Sequence, residues 1–236
     1  MMNRRDVIIS GVTATAAALA PLPVRAIGIQ PDLKPPSGRQ LFVAFVIGKN
    51  ANVMDIAGPW ETLQDVMVQG DMPFSLGTVS DSKEPVDVAG RIPVSANFTY
   101  DDVPQPDIIL MGAQQEHSEK KLAWIQRAGA QADIVASICT GAFLLAKTGL
   151  LDGLKATTHH DFYDKFEQQF PKVTLVRGPR YVENGKLMTA GGLTSGIELG
   201  LRIIQRYFGD DAASQSAQYM EYNRSPQRPN VGHVSG

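Results

Sequence analysis

The sequence predicts an α/β protein with a mainly parallel central sheet sandwiched between helices, and three observations carry that prediction. A continuous apolar run of strand length stands at residues 41–47, and further strand-length runs follow at 74–80, 107–112 and 133–138; a run without polar alternation suits a strand buried on both faces, as parallel strands are. Helical segments separate them, so strand and helix alternate along most of the chain. The last run opens directly into Cys139-Thr140-Gly141-Ala142, the strand-to-helix turn of a nucleophile elbow.

At 236 residues, 43% hydrophobic and 19% charged, the chain suits one domain with a sizeable core and is neither disordered nor fibrous. Its net charge of -2 and lack of a long basic run argue against a nucleic-acid partner. The single cysteine rules out an intramolecular disulfide, and no Cys/His cluster stands at zinc spacing, so neither metal nor other cofactor is expected.

Taken in order, Arg4-Arg5 precedes an apolar stretch through Ala20, and Val24-Arg25-Ala26 supplies a small-x-small-like cleavage end. Residues 1–26 therefore read as a twin-arginine signal peptide, implying export to the periplasm and no membrane association after cleavage. Residues 27–39, with Pro31, Pro35 and Pro36, read as a linker before a domain at 40–223. After the first strand, a loop over 48–58 leads to Pro59 in the first turn of a helix at 60–68. A strand at 74–80, a hairpin-like excursion at 86–94 and a strand at 107–112 follow. Then come a helix at 117–130, a strand at 133–138 and a helix at 140–147 ending near Gly149. Asn184-Gly185 supplies the positive φ angles of a tight hairpin whose return strand is 187–190. Helices at 195–208 and 211–222 close the domain, and 224–236 is a Pro-rich tail expected to be irregular. Beyond the leader, no segment is long and apolar enough to span a bilayer.

In an open parallel sheet, ligands bind beyond the carboxyl ends of the strands, which directs attention to the loops after 47, 110 and 138. Cys139 sits at the start of a helix, whose N-terminus favours an anion and is expected to lower the thiol pKa; the Thr140 N–H would face an oxyanion. Most lone cysteines are small buried hydrophobes, but the strand-Cys-Thr-Gly-helix context favours a nucleophile. Asp55 could hang over the same sheet edge and exchange a proton with thiol or substrate; a loop carboxylate or helix cap is the alternative. Gly112 and Ala113 are candidate oxyanion donors. His159, after Ala156-Thr157-Thr158, is the histidine expected near Cys139, as a substrate-binding or proton-transfer group. His117 and His233 read as surface residues.

With Cys139 in its elbow, Asp55 before Gly58-Pro59, Thr157-Thr158-His159 downstream and a Gly-rich segment from Thr189 to Glu198 opening a late helix, the chain resembles the ThiJ/PfpI superfamily. The resemblance spans residues 41 to about 232 and implies a flavodoxin-like, glutamine amidotransferase-like three-layer sandwich, usually a homodimer. It is nearest to the isonitrile hydratase branch and the sensor domains of AraC-type activators, on Asp55 rather than glutamate, Cys139-Thr140-Gly141, Ala156-Thr157-Thr158-His159, Tyr222-Asn223 and Pro226-Gln227-Arg228-Pro229. Thr140 stands where peptidase-like members carry histidine, so a protease is not expected. Nor is an AraC-type regulator, which needs a helix-turn-helix region after the sensor domain. The resemblance implies a cofactor-independent hydratase or hydrolase acting on a small molecule, converting isonitrile to N-substituted formamide. Cys139 would attack, Asp55 supply a proton and Thr140 orient water. Glyoxalase- or deglycase-like action on reactive carbonyls, and a non-catalytic redox sensor or chaperone, stay open beside it.

Overall fold

In the computed structural model, residues 32–115, 117–224 and, as backbone, 230–231 are described. The expected signal peptide, most of the Pro-rich tail and His233 lie outside them. The chain opens with β1 (Leu41–Val46), α1 (Val53–Gln64) and β2 (Phe74–Ser80), followed by a small antiparallel pair, β3 (Val86–Val88) and β4 (Ile92–Val94). It continues through β5 (Phe98–Thr99), β6 (Ile108–Met111), α2 (Glu119–Gln131), β7 (Ile134–Ile138) and α3 (Gly141–Lys147). After these come β8 (Lys155–Ala156), α4 (Tyr163–Gln169), β9 (Thr174–Leu175), β10 (Tyr181–Asn184), β11 (Leu187–Ala190), α5 (Ser195–Tyr219) and β12 (Asn230–Val231).

Eight of these strands form one sheet in the order β12-β10-β11-β7-β6-β1-β2-β5. All neighbours pair in parallel except the β10-β11 hairpin, whose turn uses Gly185 at φ 62. The mainly parallel sheet expected from the apolar runs is the one observed. Alternate residues of those runs feed two separate layers. Val43, Phe45, Leu110 and Ile138 pack with Leu63 of α1 and Leu199 and Ile203 of α5. Ala44, Val46, Ile109, Met111 and Val135 pack with Trp124 and Ile125 of α2, Leu144 of α3 and Phe166 of α4. Each large apolar side chain buried this way contributes about 1.5–3 kcal/mol, and two such faces demand apolar residues at every strand position. Strand order reverses between β1, which leads outward to β2, and β6, which leads to β7; this is the switch point where a crevice opens at the carboxyl edge.

One boundary differs from expectation in a way that matters. α1 starts at Val53, not at Pro59, because Asn52 caps it: its Oδ1 accepts the Met54 N–H at 2.9 Å. Asp55 therefore stands in the first turn of a helix instead of a loop, and Pro59 lies inside that helix. Proline there has no N–H to give the Asp55 carbonyl, and packing holds the helix together instead. A Cβ on Gly196 of α5 would lie 3.0 Å from Pro59 Cδ, and one on Gly200 3.0 Å from Thr62 Cβ. Glycines on α5 thus let α1 dock closely.

The two final helices expected from the sequence are continuous apart from Gly209, whose φ of 84 and ψ of 178 break them. α4 and β9 occupy a stretch with no expected element, and Asn230–Val231, in the tail expected to be irregular, adds a strand beside β10. Within the segment read as linker, the Asp32 and Leu33 N–H groups both donate to the Arg206 carbonyl at 2.9 Å, and Arg206 Nε pairs with Asp32 at 3.1 Å. The chain is thus docked on α5 from residue 32. No described helix is long and apolar enough to cross a membrane.

Candidate active site

β7 delivers Cys139 to the carboxyl edge in the left-handed region, at φ 57. A non-glycine residue held there stores about 1–3 kcal/mol of strain and persists only when its surroundings over-determine it. Three segments do so. The Cys139 N–H donates to Gly191 O at 2.8 Å and Ala190 O at 3.2 Å, and its carbonyl accepts the Thr158 hydroxyl at 2.9 Å. The third is the end of β6: a Cβ on Gly141 would meet Met111 O at 2.3 Å and Gly112 C at 3.0 Å. Only glycine fits after Thr140, which explains the motif physically.

The thiol and Asp55 are buried together, at 6% and 1% exposure. Asp55 Oδ2 accepts the Ala113 N–H at 2.9 Å, and Gly112 lacks a side chain because its Cβ would stand 2.5 Å from Asp55 Cβ. Asp55 Oδ1 has no full hydrogen bond among the described residues. Burial pushes the carboxyl up from 3.8 to about 6, opposed by the Ala113 and Leu193 N–H groups and the nearby Cys139 thiol. Burial, then the Asp55 charge, pushes the thiol from 9.0 to about 11, against the Thr140 and Leu193 N–H groups and the Thr140 side chain. This corrects the expectation of a thiol lowered by the helix N-terminus. α3 has seven residues, and its end is outweighed by desolvation and an anionic neighbour. Near neutral pH the pair is a protonated thiol beside an ionised carboxylate.

The structure brings Cys139, Asp55 and Thr140 together and reassigns others. The Ala113 N–H, expected as an oxyanion donor, is taken by Asp55, and Gly112 serves close approach; the N–H groups that face the sulfur belong to Thr140 and Leu193. Leu193 escaped the sequence reading. It has φ 52 and is 40% exposed, with its amide aimed inward; the Gly191-Gly192 pair before α5 was the available signal. His159 lies one loop away. A Cβ on Gly192 would be 2.1 Å from its Cδ2, so its ring lies against that backbone; its Nδ1 accepts the Asp161 N–H at 3.3 Å. No hydrogen bond joins it to Cys139 or Asp55 among the described residues. His117, expected at the surface, is half-buried with Nδ1 2.9 Å from Lys147 Nζ. A cleft of about 760 Å³ lined by Arg39, Phe42, Asn97, Phe98 and Asp107 lies at the amino ends of the strands, away from Cys139.

An elbow cysteine beside a buried carboxylate, at the switch point of a mainly parallel sheet between helices, defines a three-layer α/β protein of flavodoxin-like architecture. The chain belongs to the DJ-1/PfpI family, whose model matches residues 42–206. It is similar to the isonitrile hydratase of Pseudomonas putida, 31% identical over 198 residues that cover 79% of this chain and 80% of the relative. It also resembles the HTH-type transcriptional regulator GbdR of Pseudomonas aeruginosa, 21% identical over 82% of this chain but only 54% of the regulator, so it spans about half of that protein's length. Among solved structures, a THiJ/PfpI family protein from Pseudomonas syringae superimposes with a TM-score of 0.69 at 23% identity, covering 82% of this chain and 79% of the other.

Proposed function

We propose that this protein is a cofactor-independent hydratase that converts small isonitriles to N-substituted formamides through a covalent intermediate on Cys139. The observation carrying this reading is the buried pair itself: a protonated thiol beside Asp55, whose pKa of about 6 suits proton transfer near neutrality. An isonitrile carbon must gain both a nucleophile and a proton on one atom, and the pair supplies both from one side. Asp55 takes the thiol proton as sulfur bonds to carbon, then delivers that proton to the same carbon, giving the thioimidate. Water adds to this carbon while the nitrogen is protonated. Collapse forms the carbonyl, breaks the carbon–sulfur bond and returns a proton to the thiol. Splitting the addition in two is the benefit of covalent catalysis. The Thr140 and Leu193 N–H groups stabilise charge developing on the sulfur side. The similarity to an isonitrile hydratase supports the substrate class. In this reading the paired arginines export the folded enzyme to the periplasm, and the chain works as a homodimer; cell fractionation and light scattering test those two points.

The experiment is a turnover panel of isonitriles, α-oxoaldehydes and amides, run on wild type beside Cys139→Ala, with intact-mass spectrometry for the adduct. Formamide production lost in Cys139→Ala, and a transient mass increase equal to one isonitrile, are expected. Full isonitrile turnover by Cys139→Ala would sink the mechanism. Lactate from methylglyoxal as the faster reaction would transfer the same thiol to carbonyl chemistry. Silence across the panel with reversible oxidation of Cys139 would mark a sensor.

A further inference from the structure

We propose that His159, His160 and Asp161 form a binding site for a divalent transition-metal ion, separate from the Cys139–Asp55 pair. One ligand atom from each lies within 4.8 Å of the others. The convergence follows from local structure. A 3-10 turn over His160–Phe162 begins immediately after His159, folding three consecutive residues over one another. The two imidazoles stack at 4.4 Å with planes 25° apart, so the exposed His160 ring must turn for both in-plane nitrogen lone pairs to meet at one ion. Asp161 reaches both, with Oδ1 3.1 Å from His160 Nε2 and Oδ2 3.7 Å from His159 Nδ1.

The three ligands are not equally mobile, which favours capture. The His159 side chain is 16% exposed, pressed against Gly192 and edge-on to Phe162 at 5.9 Å, so one imidazole is already placed. His160 and Asp161, at 74% and 67% exposure, can close on an arriving ion. Binding replaces the long Asp161 N–H bond to His159 Nδ1, 3.3 Å, with a stronger metal–nitrogen bond. Two imidazoles and one carboxylate select zinc, nickel or copper over magnesium or calcium, which demand oxygen ligands. Three protein ligands leave the remaining positions to water.

The test is isothermal titration of the tag-free chain with zinc and nickel chlorides, with magnesium and calcium chlorides as comparisons. The expected result is one zinc per chain at micromolar affinity, weakened at least tenfold in His160→Ala and in Asp161→Asn and unchanged in Cys139→Ala. Both substituted positions are exposed, and circular dichroism will confirm that the variants fold. Electron paramagnetic resonance of the copper-loaded Cys139→Ala chain should show coupling to two nitrogens. Loss of binding in Cys139→Ala would assign the ion to the thiol and overturn the proposal. So would unaltered affinity in the doubly substituted His160→Ala/Asp161→Asn chain, or no zinc uptake at 100-fold excess over protein.

Discussion

Replacing Asp55 with asparagine separates what the carboxylate does for chemistry from what it does to the fold. The side chain keeps its shape, and its oxygen can still accept the Ala113 N–H now held at 2.9 Å. What disappears is a buried charge. In the folded protein burial raises the Asp55 pKa from 3.8 to about 6, so the ionised form is disfavoured by about 3 kcal/mol at roughly 1.36 kcal/mol per pH unit. The sign follows from linkage: a raised folded-state pKa means the folded protein holds the proton more tightly than the unfolded chain. Stability from that proton is fully present below pH 3.8 and is lost as pH rises through about 6. The substituted asparagine has no proton to lose. Urea unfolding of wild type and Asp55→Asn between pH 4 and 8 should therefore give nearly coincident stabilities at the acid end. At pH 8 the variant should be the more stable by about 3 kcal/mol. Parallel stability curves, or a variant less stable than wild type at pH 8, would refute the reasoning.

Three further outcomes are expected. Asp55→Asn should also lower the Cys139 pKa from about 11 by removing the adjacent charge, so that iodoacetamide alkylation at pH 7 quickens about tenfold while isonitrile turnover falls about 100-fold or more; both rates rising together would contradict the proton role. Gly141→Ala places a Cβ 2.3 Å from Met111 O and should destabilise the chain by more than about 2 kcal/mol with loss of activity, read by thermal unfolding and turnover. Thr158→Val removes the 2.9 Å bond to the Cys139 carbonyl and should lower stability in urea by about 1 kcal/mol, since it leaves that acceptor only the long 3.4 Å bond from the Ala142 N–H.

The apolar runs made the sheet legible, because β1, β6 and β7 are covered on both faces and tolerate few polar residues. The elbow was legible for a similar reason: Gly141 is imposed by a backbone contact, and such impositions leave a residue-type signature. The start of α1 was misread because proline is most at home in a first helical turn; its tolerance deeper in the helix depends on Gly196 and Gly200 of α5, far along the chain. α4 was missed because it buries only Phe166, too little to give a periodic pattern. The inward N–H of Leu193 depends on a positive φ that a leucine does not advertise. The thiol pKa could not be read from the motif, since it is set by how deeply α1 and its Asp55 bury the sulfur, a property of packing.

The left-handed backbone at Cys139 belongs to the position, not to the sulfur. The hydrogen bonds that fix the elbow's backbone run through its own amide and carbonyl, and the glycine that follows two places on answers to the end of β6. Position 139 thus behaves as a socket: serine, alanine or selenocysteine placed there would meet the same surroundings and the same strain, whereas glycine alone would relax it. The reactive atom can be exchanged while the mounting stays as it is, so a lineage could change its chemistry here by one substitution without rebuilding the scaffold.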